Sequence, residues 1–293
     1  MPGFHAGEIE VQTRLGVRED AERVGDIIAS EIPAAFRPLL RGQRMAVAAS
    51  LDERGRPWAS LLTGPAGFVQ ATGDRLLRLA LLPSPDDPLT ANLRARSELG
   101  LLVIDPGTRR RLRFNGRGLL LPDGVFLLVD EVYGNCPKYI QKRRLSGENA
   151  VYPVTRRHST SLDGRTRALV AGADTFFIAS AHSGGGADAS HRGGRPGFVR
   201  VLDETTLEFP DYPGNNMYNT LGNLLGHPRA GLLFVDFETG DTVQLTGRAD
   251  VLWEPATAVR VAIEEVLETS GACSLRFELV EPSPANPPLP VTA

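Results

Sequence analysis

From residue 45 onward the chain alternates short β-prone apolar runs with turn residues, and long helical periodicity is scarce. The runs MAVAASL and PWASLLTG flank Asp52, Glu53, Arg54 and Gly55, a hairpin pattern. Further short runs at residues 67–70, 76–79, 99–104, 112–120 and 125–132 read as strands. One helical stretch, residues 88–96, interrupts them, with Asp86 or Asp87 as its cap ahead of Pro88. Closely spaced strands broken by a single helix predict an antiparallel barrel. Ahead of it, Ala21, Val24, Ile27 and Ile28 follow the spacing of one helical face, and Pro33 and Pro38 interrupt the pattern, so one helix and then a second, short one are expected within residues 19–40. Residues 1–18 are polar and mixed, with Phe4 and Ile9 as anchors onto a body elsewhere.

Past the NCPKYIQ block, residues 135–141, the pattern disappears. Residues 142–173 read as a connecting segment with a short helix near 161–170, capped by Ser161 or Asp163. Strand signals resume at 175–180, and what resumes is the first half again. Ala59-Ser60 and Gly67-Phe68-Val69 recur 130 positions later as Ala189-Ser190 and Gly197-Phe198-Val199. Asn92-Leu93, GLLVID from Gly100 and Gly116-Arg117 recur 131 positions later as Asn223-Leu224, GLLFVD from Gly231 and Gly247-Arg248. Matched blocks in one order with a one-residue drift indicate two copies of one barrel unit. The expected organisation is therefore mainly β with minor α: residues 1–141 a helical segment plus the first unit, 142–173 a connector, 174–293 the second unit and a C-terminal tail.

The duplication acts as an internal control. The first copy has Leu61 and Leu62 where the second has His191 and Arg192, and PSPDDPLTAN where the second has PDYPGNNMYNTLGN. One copy reads as scaffold and the other as equipped for a ligand. Arg192 offers a planar fork of donors suited to phosphate, and Ser190 adds a hydroxyl. Strand alternation turns Ser190 and Arg192 to one face and His191 to the other. Pro213-Gly214 marks a turn, and Asn215 or Asn216 is placed to cap a helix through Tyr218, Leu221 and Leu224, whose start would attract an anion. Ser180, His182 and Ser183 hint at nucleophilic catalysis, but no G-x-S-x-G elbow or acid partner accompanies them.

Composition narrows the classes. At 42% hydrophobic and 23% charged the chain is globular, and its net charge of −3 gives no reason to expect nucleic acid or an anionic membrane as partner. Arginines cluster at Arg109, Arg110, Arg111 and Arg113, and at Arg143, Arg144, Arg156 and Arg157; both groups read as solvated hairpin or loop faces. Cys136 and Cys273 are too few for a disulfide framework, and five histidines without ligand spacing give no metal site. With no secretory signal and no apolar stretch of membrane-spanning length, a cytoplasmic location is expected.

The blocks GRPWASLLTGPAGFV, GLLVID and NCPKYIQKR, followed by ASHRGGRPGFV, LEFPDYPGNNMYNTLGNL, HPRAGLLFVDF and LTGRADV, together resemble the pyridoxamine 5′-phosphate oxidase-like proteins, and within them the tandem members that also carry FHAGE near the start. The likeness spans Phe4 to Trp253. It implies a split β-barrel that binds FMN non-covalently, usually between two barrel units. In the oxidases proper a strand basic residue and a Tyr-x-Ser-Arg-Lys segment hold the FMN phosphate. Here Asn215 and Asn216 follow Tyr212 in place of the basic pair, so Arg192, His191 and Lys138 would supply the charge, and a glutamine of the family stands as Thr242. The implied cofactor-contacting set is Ser190, His191, Arg192, Tyr212, Gly214, Asn215, Asn216, Asn219, Thr242 and Lys138, with no acid or base assigned. The arginines that bind substrate phosphate in true oxidases have no counterpart in the C-terminal segment. The resemblance thus implies a flavin-dependent oxidoreductase of an unidentified small molecule, reduced by a separate reductase or a pyridine nucleotide, and a homodimer. The alternatives are a non-enzymatic flavin or haem carrier, with His191 or His182 as axial ligand, and a deazaflavin enzyme.

Overall fold

A computed structural model of the chain describes residues 3–134, 136–149, 154–182, 184 and 186–289. The NCPKYIQ block's Asn135 and the candidate Ser183 lie outside the described residues. Both halves form split barrels of the same topology. The first contains β1 (Met45–Leu51), β2 (Pro57–Thr63), β3 (Val69–Ala71), β4 (Leu76–Leu79), β5 (Glu98–Asp105), β6 (Arg110–Leu121) and β7 (Gly124–Gly134), in the spatial order β2-β1-β5-β6-β7-β4-β3. After β8 (Lys142–Glu148) and β9 (Thr155–Ser159), the second contains β10 (Thr175–Ala181), β11 (Ala187–Gly193), β12 (Arg200–Val201), β13 (Thr206–Pro210), β14 (Arg229–Val235), β15 (Thr242–Leu252) and β16 (Ala258–Ser270), in the order β11-β10-β14-β15-β16-β13-β12. Strand for strand the two orders are identical, so the sequence repeat is a structural one.

The hydrophobic pattern explains how the units pair. Every residue of β1 and of β10 is buried, and a strand covered on both faces reads as a continuous apolar run. Ala46 and Ala48 face the first barrel's own core with Phe114 and Leu77, while Met45, Val47 and Ala49 meet Phe177, Ala179 and Leu233 in a core shared between the units. The second barrel closes around Phe176, Phe209 and Phe234. Two glycines set the distance between the units. A Cβ on Gly100 of β5 would lie 2.6 Å from the Ala187 carbonyl oxygen, and one on Gly231 of β14 would lie 2.3 Å from the Pro57 oxygen. The contacts are reciprocal, with β5 against the start of β11 and β14 against the start of β2, which is the signature of a two-fold interface built inside one chain.

Helices α1 (Ala6–Arg14), α2 (Arg18–Gly25) and α3 (Arg37–Gly42) precede the first barrel, α4 (Pro88–Ala95) lies within it, and α5 (Gly164–Gly172) and α6 (Asn219–Gly226) belong to the second half. Helices α2 and α3 overlap the predicted stretch, each running one or two residues past its ends, and Asp87 caps α4 as expected, accepting from the Leu89 N–H at 2.9 Å. Helix α1 was not expected. It starts in a capping box formed by His5 and Glu8 and packs on α6 of the second unit through a glycine pair, since a Cβ on Gly7 would sit 2.2 Å from the Gly222 oxygen. Val11 reaches the second barrel's core. The first residues of the chain are thus tied to its last third, a pairing that local periodicity does not encode.

The connector also holds strands that its charge hides. KRRLSGE forms β8 and pairs with β17 (Leu275–Glu281), and β9 adds to β16. Asp163 caps α5, accepting from the Thr166 N–H at 2.9 Å. Gln141, fully buried, fastens the C-terminal segment by accepting from the Ser283 N–H and the Asn286 amide. Among the described residues no helix is long and apolar enough to cross a membrane.

Candidate functional site

A cleft opens where the edge strand β11 of the second unit meets β6 of the first and the loop before α6. It gathers Ser190, His191, Arg192, Tyr212, Gly214, Asn215, Asn216 and Asn219 from the predicted set, together with Arg111, Arg113, Tyr139 and Asp211. Because β11 is an edge strand, residues from both of its faces border the cleft. Thr242 and Lys138 do not line it. Thr242 lies on β15 opposite Val235 and Thr269, at the position matching Arg111 of the first copy, so it belongs to the equivalent place on the other side of the pseudo-two-fold. Lys138 is exposed, and the cleft takes its neighbour Tyr139 instead, whose hydroxyl donates to the Pro213 oxygen at 2.8 Å and whose ring lies 5.4 Å from that of Tyr212.

Of the arginines read as solvated faces, Arg111 and Arg113 are the first unit's contribution. Arg113 is buried and makes a two-pronged ion pair with Asp188, its Nε donating to Oδ1 at 3.0 Å and Nη2 to Oδ2, while Nη1 donates to the Asn219 Oδ1 at 3.2 Å. Burial opposes its charge, but Asp188 outweighs that and holds its pKa above the usual guanidinium range. Arg111 has no carboxylate partner among the described residues. Burial, reinforced by Arg113 and Arg192, pushes its pKa down to about 9; it remains charged at neutral pH, at an electrostatic cost an incoming anion would relieve. Arg111 Nη1 donates to His191 Nδ1 at 3.0 Å. A guanidinium only donates, so His191 carries its proton on Nε2. Burial first, and then Arg111 and Arg192, hold its pKa well below the ordinary histidine value. Arg192 lies 3.6 Å from Asp211, close enough for attraction but not for a hydrogen bond. The missed signal was local: Arg111 and Arg113 alternate with Leu112 and Phe114, two cations on one strand face, where the second copy has Thr242 and Gln244.

Four features fit the cleft to a phosphate-bearing ligand. The Nε groups of Arg111 and Arg192 and the Thr220 hydroxyl are buried without hydrogen-bond partners, and Thr220 is only 2% exposed. Buried polar groups are nearly always paired, so three orphans on one cleft call for a ligand. The fourth feature is the start of α6. The expected asparagine cap is absent: the helix begins at Asn219, and its flanking residue Tyr218 is left-handed at φ 58° with no side-chain cap. Asn215 is occupied within its own loop, accepting from the Met217 N–H at 3.3 Å, and Asn216 bends the chain at φ 62°. The first backbone N–H groups of α6 therefore have no side-chain acceptor, the arrangement that draws anions to helix starts. Tyr212 and Tyr139 add aromatic surface beside the donors.

The matched place in the other half shows what such a site looks like when filled from within. There Asp87, the counterpart of Tyr218, caps α4 and accepts from the Ser60 hydroxyl at 2.6 Å, and Ser60 is the counterpart of Ser190. Gln244, matching Arg113, donates to the Ala59 oxygen at 2.9 Å. A carboxylate of the chain thus sits at the helix start that the second unit leaves open. The supporting bond is the same in both copies: Asn92 donates to Ser50, and Asn223 to Ser180, each at 2.9 Å. Ser180 is accordingly a scaffold hydroxyl rather than a nucleophile. Among the described residues no group of three or more His, Cys, Asp and Glu is placed to hold a metal ion.

Several solved structures are similar to part of this chain. HupZ of Group A Streptococcus aligns at 15% identity over 35% of this chain and 93% of its own, with a TM-score of 0.29. An FAD-binding protein of Mesorhizobium loti aligns at 16% over 41% of this chain and 100% of its own, TM-score 0.29, and the FAD-binding protein of Mycobacterium smegmatis at 16% over 40% and 97%, TM-score 0.27. No curated protein matches the sequence. The assignment rests on a sequence model described as pyridoxamine 5′-phosphate oxidase, which matches residues 32–145 and again 162–288, once over each barrel. The chain belongs to the pyridoxamine 5′-phosphate oxidase family.

Proposed function

We propose that this chain binds one FMN in the cleft between its two barrels and acts as a flavin-dependent oxidoreductase on a small molecule. The observation that carries the reading is the convergence of Arg111 from one unit and Arg192 from the other, each with an orphaned buried Nε, on the uncapped start of α6. Arg192, Arg111, Ser190 and Thr220 would hold the phosphate, and Tyr212 and Tyr139 would border the rest of the cofactor. Bound FMN would supply reversible hydride and electron transfer. The chain's own residues bind and orient it: the Arg113–Asp188 pair fixes β6 against β11, and neutral His191 keeps Arg111 aimed inward without adding a fourth positive charge.

The family resemblance and the cleft chemistry both support a flavin, and the phosphate-directed donors suit FMN. Because both half-sites come from one chain, the cleft needs no second copy, whether or not the protein forms a homodimer. Haem is not favoured. His191 has its Nδ1 engaged with Arg111 and lies among cations, a poor setting for an axial ligand. The absorbance spectrum of purified protein, before and after incubation with FMN, tests the reading. Flavin bands that persist through gel filtration are expected, and a preparation that stays colourless after FMN addition overturns it.

A further inference from the structure

Behind the arginine cleft lies a second cavity of about 290 Å³, roughly the space of ten waters. The two spaces share Asn219, and the Arg113–Asp188 pair stands between them. His5 and Glu8 of the α1 start, Asn115 and Glu131 of the first barrel, and His182 and Asp188 of the second line it. Nothing in the proposed flavin contacts uses these groups.

The hydrogen-bond inventory of the wall determines what it can take. Its donors are mostly spent on the protein itself. His5 Nδ1 accepts from the Gly7 N–H, so its Nε2 carries the proton and donates to the Asn223 Oδ1 at 2.9 Å. The Asn219 amide donates to Glu8, and that of Asn223 to Ser180. Exposed Arg117 and the Nε2–H of His182 are donors in the lining, set against four carboxyl groups, those of Glu8, Asp130, Glu131 and Asp188, and against the Asn115 Oδ1, which is buried without a partner. His182 accepts from the Gly184 N–H on Nδ1 and stacks on His5 at 4.8 Å. Both imidazoles have their pKa lowered by burial and add little positive charge. Burial pushes Glu8 up to about 7 and raises Glu131 as well, and Arg113 only partly offsets the shift in each. A lining rich in acceptors, with an orphaned carbonyl and crowded carboxylates, selects a ligand that brings positive charge and N–H donors.

We propose that this cavity receives the cationic nitrogen of a small organic substrate, a protonated amine or amidine, whose body extends toward the arginine cleft. Its place in a reaction rests on the flavin reading, whereas the binding claim does not. The test is calorimetric titration of benzylamine and benzamidine, both cationic at pH 7.5, and of uncharged benzyl alcohol, into the protein with and without saturating FMN. The cations are expected to bind, with benzyl alcohol at least tenfold weaker, and Glu131→Gln, whose side chain caps no helix, should weaken the cations roughly tenfold. Glu8→Gln, checked for native circular dichroism, should act in the same direction. The proposal is overturned if neither cation binds at millimolar concentration, if the alcohol binds as tightly as the amine, or if a folded Glu131→Gln protein binds both cations unchanged. Cation binding by a protein that takes up no FMN would remove the flavin reading and leave this site standing.

Discussion

The two sides of the pseudo-two-fold make one comparison. On one side Arg111, Arg113, Ser190 and the uncapped α6 surround a cleft; on the other Thr242, Gln244, Ser60 and the Asp87-capped α4 close the same place with the chain's own groups. Strand order and the Asn–Ser bond beneath each helix are kept on both sides. Duplication therefore separates what the barrel requires from what a ligand requires. The barrel requires the glycine contacts, the doubly buried β1 and β10, and that Asn–Ser bond. The difference left over is charge and an open helix start, found on one side only.

The comparison breaks most readily at its buried charge. Giving the cleft its partner's residue by Arg113→Gln leaves Asp188 buried without its guanidinium, and stability to urea should fall by about 3–5 kcal/mol. Gln244→Ala on the closed side, which loses the buried hydrogen bonds to the Ala59 oxygen and the Ser60 hydroxyl, should cost about 1–2 kcal/mol. Next come the ligand donors. Arg192→Ala and Arg111→Ala should each weaken FMN by about 1.5–3 kcal/mol in fluorescence titrations, whereas Thr242→Ala at the matched position should leave the affinity unchanged. Loss of affinity in the Thr242 variant would mean that both sides bind.

Smaller effects sharpen the contrast. Asp87→Ala removes the internal acceptor of α4 and should lower stability by about 1 kcal/mol, leaving FMN affinity intact. The smallest concerns pH. Burial holds the folded-state pKa of Glu8 at about 7, above the ordinary glutamate value of 4.5. Its contribution is therefore fully present below the unfolded value and is lost as pH rises through about 7. Unfolding free energy measured in urea should fall more between pH 5 and 8 in the wild type than in Glu8→Gln, by an amount on the order of 1 kcal/mol; parallel profiles would contradict the buried-acid reading.

The barrel strands and the repeat were legible because each strand's pattern is local and each block has a copy for comparison. The same comparison picked out β11 and the loop before α6. It could not show that a site on one copy is completed by the other, because β6 reaches β11 only through tertiary pairing. Hence Arg111 and Arg113 read as surface charge, and Thr242 was assigned to the half-site across the two-fold. Pairings distant in sequence, α1 with α6 and β8 with β17, were hidden for the same reason. Asn215 or Asn216 was expected to cap the helix, but left-handed Tyr218 delays the helix until Asn219, so those side chains shape the loop instead of capping.

The central claim is that one side is open to a phosphate-bearing flavin and the other is closed by Asp87. Equilibrium titration of the purified protein with FMN, read by quenching of flavin fluorescence at known protein concentration, measures this directly. The account predicts saturation at one FMN per chain; saturation at two per chain, or no quenching at all, would contradict it.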